Sequence, residues 1–103
     1  MSPRKLSVRL LSIAEDDLAD IITFIAEDDV FAAEKLAARI EKLLARLAEH
    51  PHLGRLPAEE ELTRSGYRYL IVDNYLIFYT VSAETVLIHR IIHGARDYRG
   101  LLP

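Results

Sequence analysis

In "KLSVRLL", Leu6, Val8 and Leu10 alternate with Lys5, Ser7 and Arg9, the period of two expected of a strand with one buried face. The period then changes. In "SIAEDDLADIITFIAEDD" the apolar residues Ala14, Leu18, Ile21, Ile22 and Ile25 recur at helical spacing and predict a first helix. Ser12 and Glu15 stand at capping-box spacing, and Asp16, Asp17 and Asp20 cluster towards the positive end of its dipole. A second amphipathic run, "DDVFAAEKLAARIEKLLARLAEHP", restarts with Asp28 or Asp29 as N-cap. Its stripe is Ala33, Leu36, Ala37, Ile40, Leu43, Leu44 and Leu47, with Glu34, Lys35, Arg39, Glu41, Lys42 and Arg46 mostly off it. So short a break predicts an antiparallel helical hairpin. Pro51 disfavours helical geometry at His50 and predicts the end of the second helix.

The segment "HLGRLPAEEELTRSG" has the glycine and proline punctuation of a loop, with a short helical turn at "AEEEL". Three β-branched and aromatic runs follow, "YRYLIV", "YLIFYTV" and "VLIHRII", separated by Asp73-Asn74 and by "SAET", each short enough for a hairpin turn. The expected fold class is α+β: an N-terminal strand, then an antiparallel helical hairpin packed on a mainly antiparallel sheet with a C-terminal three-stranded meander. In the last strand, alternation places Val86, Ile88, Arg90 and Ile92 on one face and Leu87, His89, Ile91 and His93 on the other. That leaves Arg90 on an otherwise apolar face, where Asp73 or Asp97 is the expected partner.

With 103 residues, 50% of them hydrophobic, the chain is expected to form one domain over residues 1–103. The absence of cysteine excludes disulfides and thiolate metal sites and fits a reducing compartment. Arg9 interrupts the apolar run near the start, so no export signal or membrane span is expected, and the expected location is the cytoplasm.

The formal net charge of -3 is unevenly spread: residues 1–51 hold seven Lys/Arg against ten Asp/Glu, and residues 52–103 hold six against six, all six bases being arginine. From Ile88 onward only Asp97 opposes Arg90, Arg96 and Arg99. A weakly acidic chain with one small basic end is a poor general nucleic-acid binder, because affinity scales with the number of phosphates neutralised. The polar cluster "HRIIHGARDYRG" is therefore the candidate site. His93, beside Gly94 at the strand end, can carry a proton near neutral pH. The four histidines do not group as a tetrahedral metal site requires, and neither a phosphate loop nor a serine-triad motif is present, so no cofactor or metal is expected.

The order of elements, with "GYRYLIVDNYLIFYTV" and "VLIHRIIHGARDY", resembles the RelE/ParE superfamily of bacterial toxins across essentially the whole chain, and the "HGARD" ending is most similar to the ParE branch. The resemblance implies a helical hairpin against an antiparallel sheet, with an antitoxin segment wrapping the groove between them. Leu18, Ile22, Ile25, Leu36, Ile40 and Leu43 of the helix stripes are then the expected antitoxin contacts, in a hetero-oligomer.

The branches imply different targets. ParE-like members poison DNA gyrase, and Arg90, His93, Arg96, Tyr98 and Arg99 would be the target-binding residues. RelE-like members act on the ribosome and cleave mRNA. There Arg68 and Arg96 would stabilise the phosphate, His93 would move a proton and Tyr98 would stack on a base. A third reading is a degenerate, non-toxic antitoxin-binding partner. The chain departs from the nuclease pattern in "RLPAEEELTRS", where three consecutive glutamates replace basic residues, and in having no lysine after Lys42. Both disfavour docking among ribosomal phosphates.

Overall fold

The computed structural model describes residues 5–102. Strand β1 (Ser7–Leu10) leads through Leu11 into helix α1 (Ser12–Asp28), and Asp29 alone separates α1 from α2 (Val30–Glu49). A loop containing the short helix α3 (Glu60–Arg64) precedes β2 (Arg68–Val72), β3 (Tyr75–Val81) and β4 (Thr85–His93). The predicted α+β architecture is present, with the sheet in the order β1-β4-β3-β2. The meander is antiparallel, but β1 runs parallel to β4, with Val8 opposite Val86, so the sheet as a whole is mixed. Among the described residues no helix is long and apolar enough to cross a membrane.

Asp29 caps α2 as expected, its carboxylate accepting from the Ala32 N–H at 3.1 Å. The Ser12–Glu15 capping box does not form. The N-cap of α1 is Leu11, without a side-chain cap, and the Leu11 N–H donates to the Ile88 carbonyl at 2.9 Å. Continuation of the β1–β4 ladder to Leu11 makes Ser12 the first helical residue, one position too late to cap. At the β2–β3 turn Asp73 takes φ 50°, a left-handed conformation that aspartate tolerates better than most residues.

The main core lies between the hairpin and the sheet, where Ala14, Leu36, Ile40 and Leu47 meet Ile77, Tyr79, Val86, Ile88 and Ile91. The sheet's other face has a smaller core of Tyr67, Phe78 and Ile92, covered by Leu62, Tyr98, Leu101 and Leu102. The strict alternation expected along β4 fails at one point. Phe78 pairs with Arg90 while its neighbour Tyr79 pairs with Ile88, so His89 is an extra residue in a bulge. Beyond it the faces exchange: Ile91 joins Val86 and Ile88 under the helices, and Ile92 packs with Phe78 on the far side.

Candidate functional site

Arg90 is buried, and neither expected partner holds it. Its Nε and Nη2 donate to the Asp17 carboxylate of α1 at 2.8 and 2.9 Å, and Nη1 donates to the Leu101 carbonyl at 3.2 Å. Asp17 also accepts the Ile91 N–H at 3.0 Å. The β1–β4 pairing stops at Ile88, so α1 supplies at the β4 edge the acceptor that a longer β1 would have supplied. Hydrogen bonding to Asp17 raises the Arg90 pKa further above its ordinary value. Arg90 is thus a clasp between α1, β4 and the C-terminal segment, which takes it off the exposed surface assigned to it from sequence.

Arg68 and Tyr98, both candidates for the nuclease chemistry, lie across the sheet from one another. Arg68 pairs with Tyr79 on the helix side, and its Nη1 donates to the Gly54 carbonyl at 3.0 Å. The Tyr79 hydroxyl ties down the same loop, donating to the Pro51 carbonyl at 2.9 Å and accepting the Gly54 N–H at 2.8 Å. Tyr98 packs on the far side, its ring centroid 4.7 Å from that of Phe78. Its hydroxyl donates to the Glu59 carboxylate, whose oxygens lie at 2.7 and 2.9 Å. Burial, and then the adjoining Glu59 charge, push the Tyr98 pKa up to about 12.

Arg96 is exposed in the turn after β4, its N–H bonded to the His93 carbonyl at 3.0 Å. His93 is exposed as well. Its Nδ1 accepts from the Ala95 N–H at 3.1 Å, and its ring meets Tyr75 edge-on at 5.4 Å. Arg99 folds back on Asp97, with Nε and Nη2 both 3.0 Å from the carboxylate, and this pairing holds the Asp97 pKa at about 2. Of the three arginines counted at the basic end, only Arg96 presents an uncompensated guanidinium among the described residues.

His89, at the bulge, lies between two hydroxyls, with Nε2 2.9 Å from Thr80 Oγ1 and Nδ1 3.4 Å from the Tyr67 hydroxyl. Burial lowers its pKa. Among the described residues no three His, Asp or Glu side chains converge as metal coordination needs. From sequence Asp17 is only an acid at the positive end of the α1 dipole and Glu59 only one of three consecutive glutamates, and nothing joins Tyr67, His89 and Thr80. Their pairings span 22 to 74 positions or depend on the bulge, leaving no local spacing to detect.

The sequence profile of the ParE toxin of type II toxin-antitoxin systems, parDE, matches residues 8–98. The chain belongs to this family. A curated relative, the toxin RelE2 of Caulobacter vibrioides, is 35% identical over 80 residues, covering 78% of this chain and 85% of the relative. The fold is similar to that in the chromosomal ParDE toxin-antitoxin system of P. aeruginosa, with a TM-score of 0.69 and 19% identity, over 87% of this chain and 97% of that one. It is also similar to the RelBE2 toxin-antitoxin complex of Mycobacterium tuberculosis, with a TM-score of 0.61 and 23% identity, over 86% and 98% respectively. This ParE-family chain is therefore a type II toxin-antitoxin toxin by family.

In this ParE-family chain the six helix-stripe residues expected to meet an antitoxin divide into two groups. Leu36 and Ile40 are buried in the main core, because α2 turns them onto the sheet. Leu18, Ile22, Ile25 and Leu43 are only half-buried. Leu18 and Ile22 line one shallow groove with Leu10 and Ala19. Leu43 lies in a second groove, of about 360 Å³, floored also by Ile71 and Val72 and rimmed by Arg39, Lys42 and Arg46.

Proposed function

We propose that this ParE-family toxin arrests growth by binding a protein, DNA gyrase, rather than by cleaving RNA. One observation carries the reading: Arg68 and Tyr98 occupy opposite faces of the sheet, each already held by an internal partner. A phosphate contacted by Arg68 and a base stacked on Tyr98 would require the sheet to lie between them. Glu59, which holds Tyr98, and the neighbouring Glu60 and Glu61 add negative charge where RNA would approach. The remaining polar contacts, Arg96 and His93, suit recognition of acidic and hydrogen-bonding groups on a protein. For the antitoxin, the two grooves flanking the helical hairpin are the natural seats, through Leu18 and Ile22 on one side and Leu43 on the other.

Expression from an inducible promoter, following plasmid supercoiling and transcript integrity together, tests the target. Loss of supercoiling before any transcript cleavage is expected. Early cleavage with normal supercoiling would overturn the proposal in favour of the RelE-like nuclease, and no arrest at all would favour a degenerate, non-toxic partner. Arg96→Ala should reduce arrest strongly. His93→Gln keeps hydrogen bonding without a proton shuttle and should leave most of it, whereas a nuclease would lose about 10²-fold or more.

A further inference from the structure

The geometry points to the tip of the helical hairpin as a second surface that meets the target, in addition to Arg96 and His93, docking on a basic protein surface with apolar recesses. This rests on the protein-target reading above. Phe24, Val30 and Phe31 are 71%, 61% and 65% exposed, and they flank the single residue, Asp29, that joins α1 to α2. Isolated exposed apolar residues are ordinary. Three at one hairpin tip, two of them aromatic, have the composition of an interface centre. The cation of Lys35 lies 5.0 Å from the centroid of the Phe31 ring.

The surrounding charge selects the occupant. From Leu10 to Glu34 the sequence has eight Asp/Glu and no Lys or Arg. Around the tip, Glu27, Asp28, Asp29 and Glu34 are exposed and outnumber the cation of Lys35. Such a rim repels nucleic acid, and it repels the same tip of a second copy. It attracts a surface rich in lysine and arginine, such as the nucleic-acid-binding face of a protein, and steers encounter with it. In the C-terminal cluster Arg96 and His93 remain exposed for acidic groups of the same target, whereas Arg90 is buried and Arg99 is paired with Asp97.

Two double variants test this in the full chain: Phe24→Ser/Phe31→Ser, and Glu27→Lys/Asp28→Lys. All four positions are exposed, so both variants should fold, and circular dichroism melting checks it. If the Phe variant fails to fold, the charge variant decides. Removing an aromatic ring that the target buries should weaken binding about 10-fold or more, so both variants should need at least about 10-fold more protein for the same growth arrest. Undiminished arrest by a folded variant overturns the proposal. Arrest that persists but is no longer relieved by co-expressed antitoxin also overturns it, since the tip would then belong to the antitoxin. The gyrase reading is judged separately, on supercoiling and transcripts in cells expressing the unaltered chain.

Discussion

Replacing Asp17 by alanine removes one carboxylate and orphans several donors. The side chains of Arg90 and Asp17 are only 10% and 15% exposed, and the carboxylate accepts from Nε, Nη2 and the Ile91 N–H. An exposed pair would be worth about 0–1 kcal/mol. A buried charge stripped of its partner costs about 3–5 kcal/mol, a large share of the roughly 5–15 kcal/mol that holds a domain of this size folded. With a urea m-value of about 1–3 kcal/mol/M, the unfolding midpoint of Asp17→Ala should fall by more than about 1 M. Asp17→Leu/Arg90→Met removes both charges together. It still leaves the Ile91 N–H and the Leu101 carbonyl short of a partner, so it should sit below the parent but at least about 1 kcal/mol above the single variant. Urea titrations of the three proteins decide the matter. A single-variant loss under about 1 kcal/mol, or a double variant no better than the single, would mean that the β4 edge is wet and the clasp merely a surface pair.

Gly54→Ala places a Cβ 2.6 Å from the Tyr79 hydroxyl and 2.8 Å from the Tyr69 carbonyl, so it should cost at least about 2 kcal/mol in a urea titration; an unchanged midpoint would show that the loop gives way freely. For His89, burial lowers the folded pKa, so the unfolded chain binds more protons. Its contribution should be complete above the ordinary histidine value of about 6.5 and be lost as pH falls from there through the lower folded value. His89→Gln should remove that part of the pH dependence, and parallel stability curves for the two proteins between pH 5 and 7, about the range where histidine titrates, would refute the assignment.

The elements were legible because each has a strong local period. The stripe of α2, the Asp29 cap and the three apolar runs of the meander are written in neighbouring residues, so the helical hairpin and the antiparallel pairs follow from spacing alone. What lies between distant elements was not. Pairing of β1 with β4 joins positions near the two ends of the chain, and no local pattern signals its parallel direction. Ser12 reads as a cap because the sequence cannot show that the β ladder runs on to Leu11. Alternation along β4 fails at His89 because a bulge depends on the partner strand's register as well as on the strand's own residues.

The same division explains the candidate site. Counting charge along "HRIIHGARDYRG" treats each arginine as free, yet one is drawn inward by Asp17 and another is neutralised by Asp97. Likewise, "EEE" reads as three solvated charges, whereas Glu59 is half-buried and accepts the Tyr98 hydroxyl. That bond fastens the segment after β4 over the second core, where Tyr98, Leu101 and Leu102 cover Phe78 and Ile92. Glu59 therefore has a packing role beyond its charge, because a carboxylate accepting a half-buried hydroxyl satisfies a donor that would otherwise be costly to bury. Tyr98 consequently belongs to the fold's second core first. A function that needed it to swing out and stack on a base would have to break the Glu59 bond and uncover Phe78, whereas protein binding through exposed Arg96 leaves that core intact.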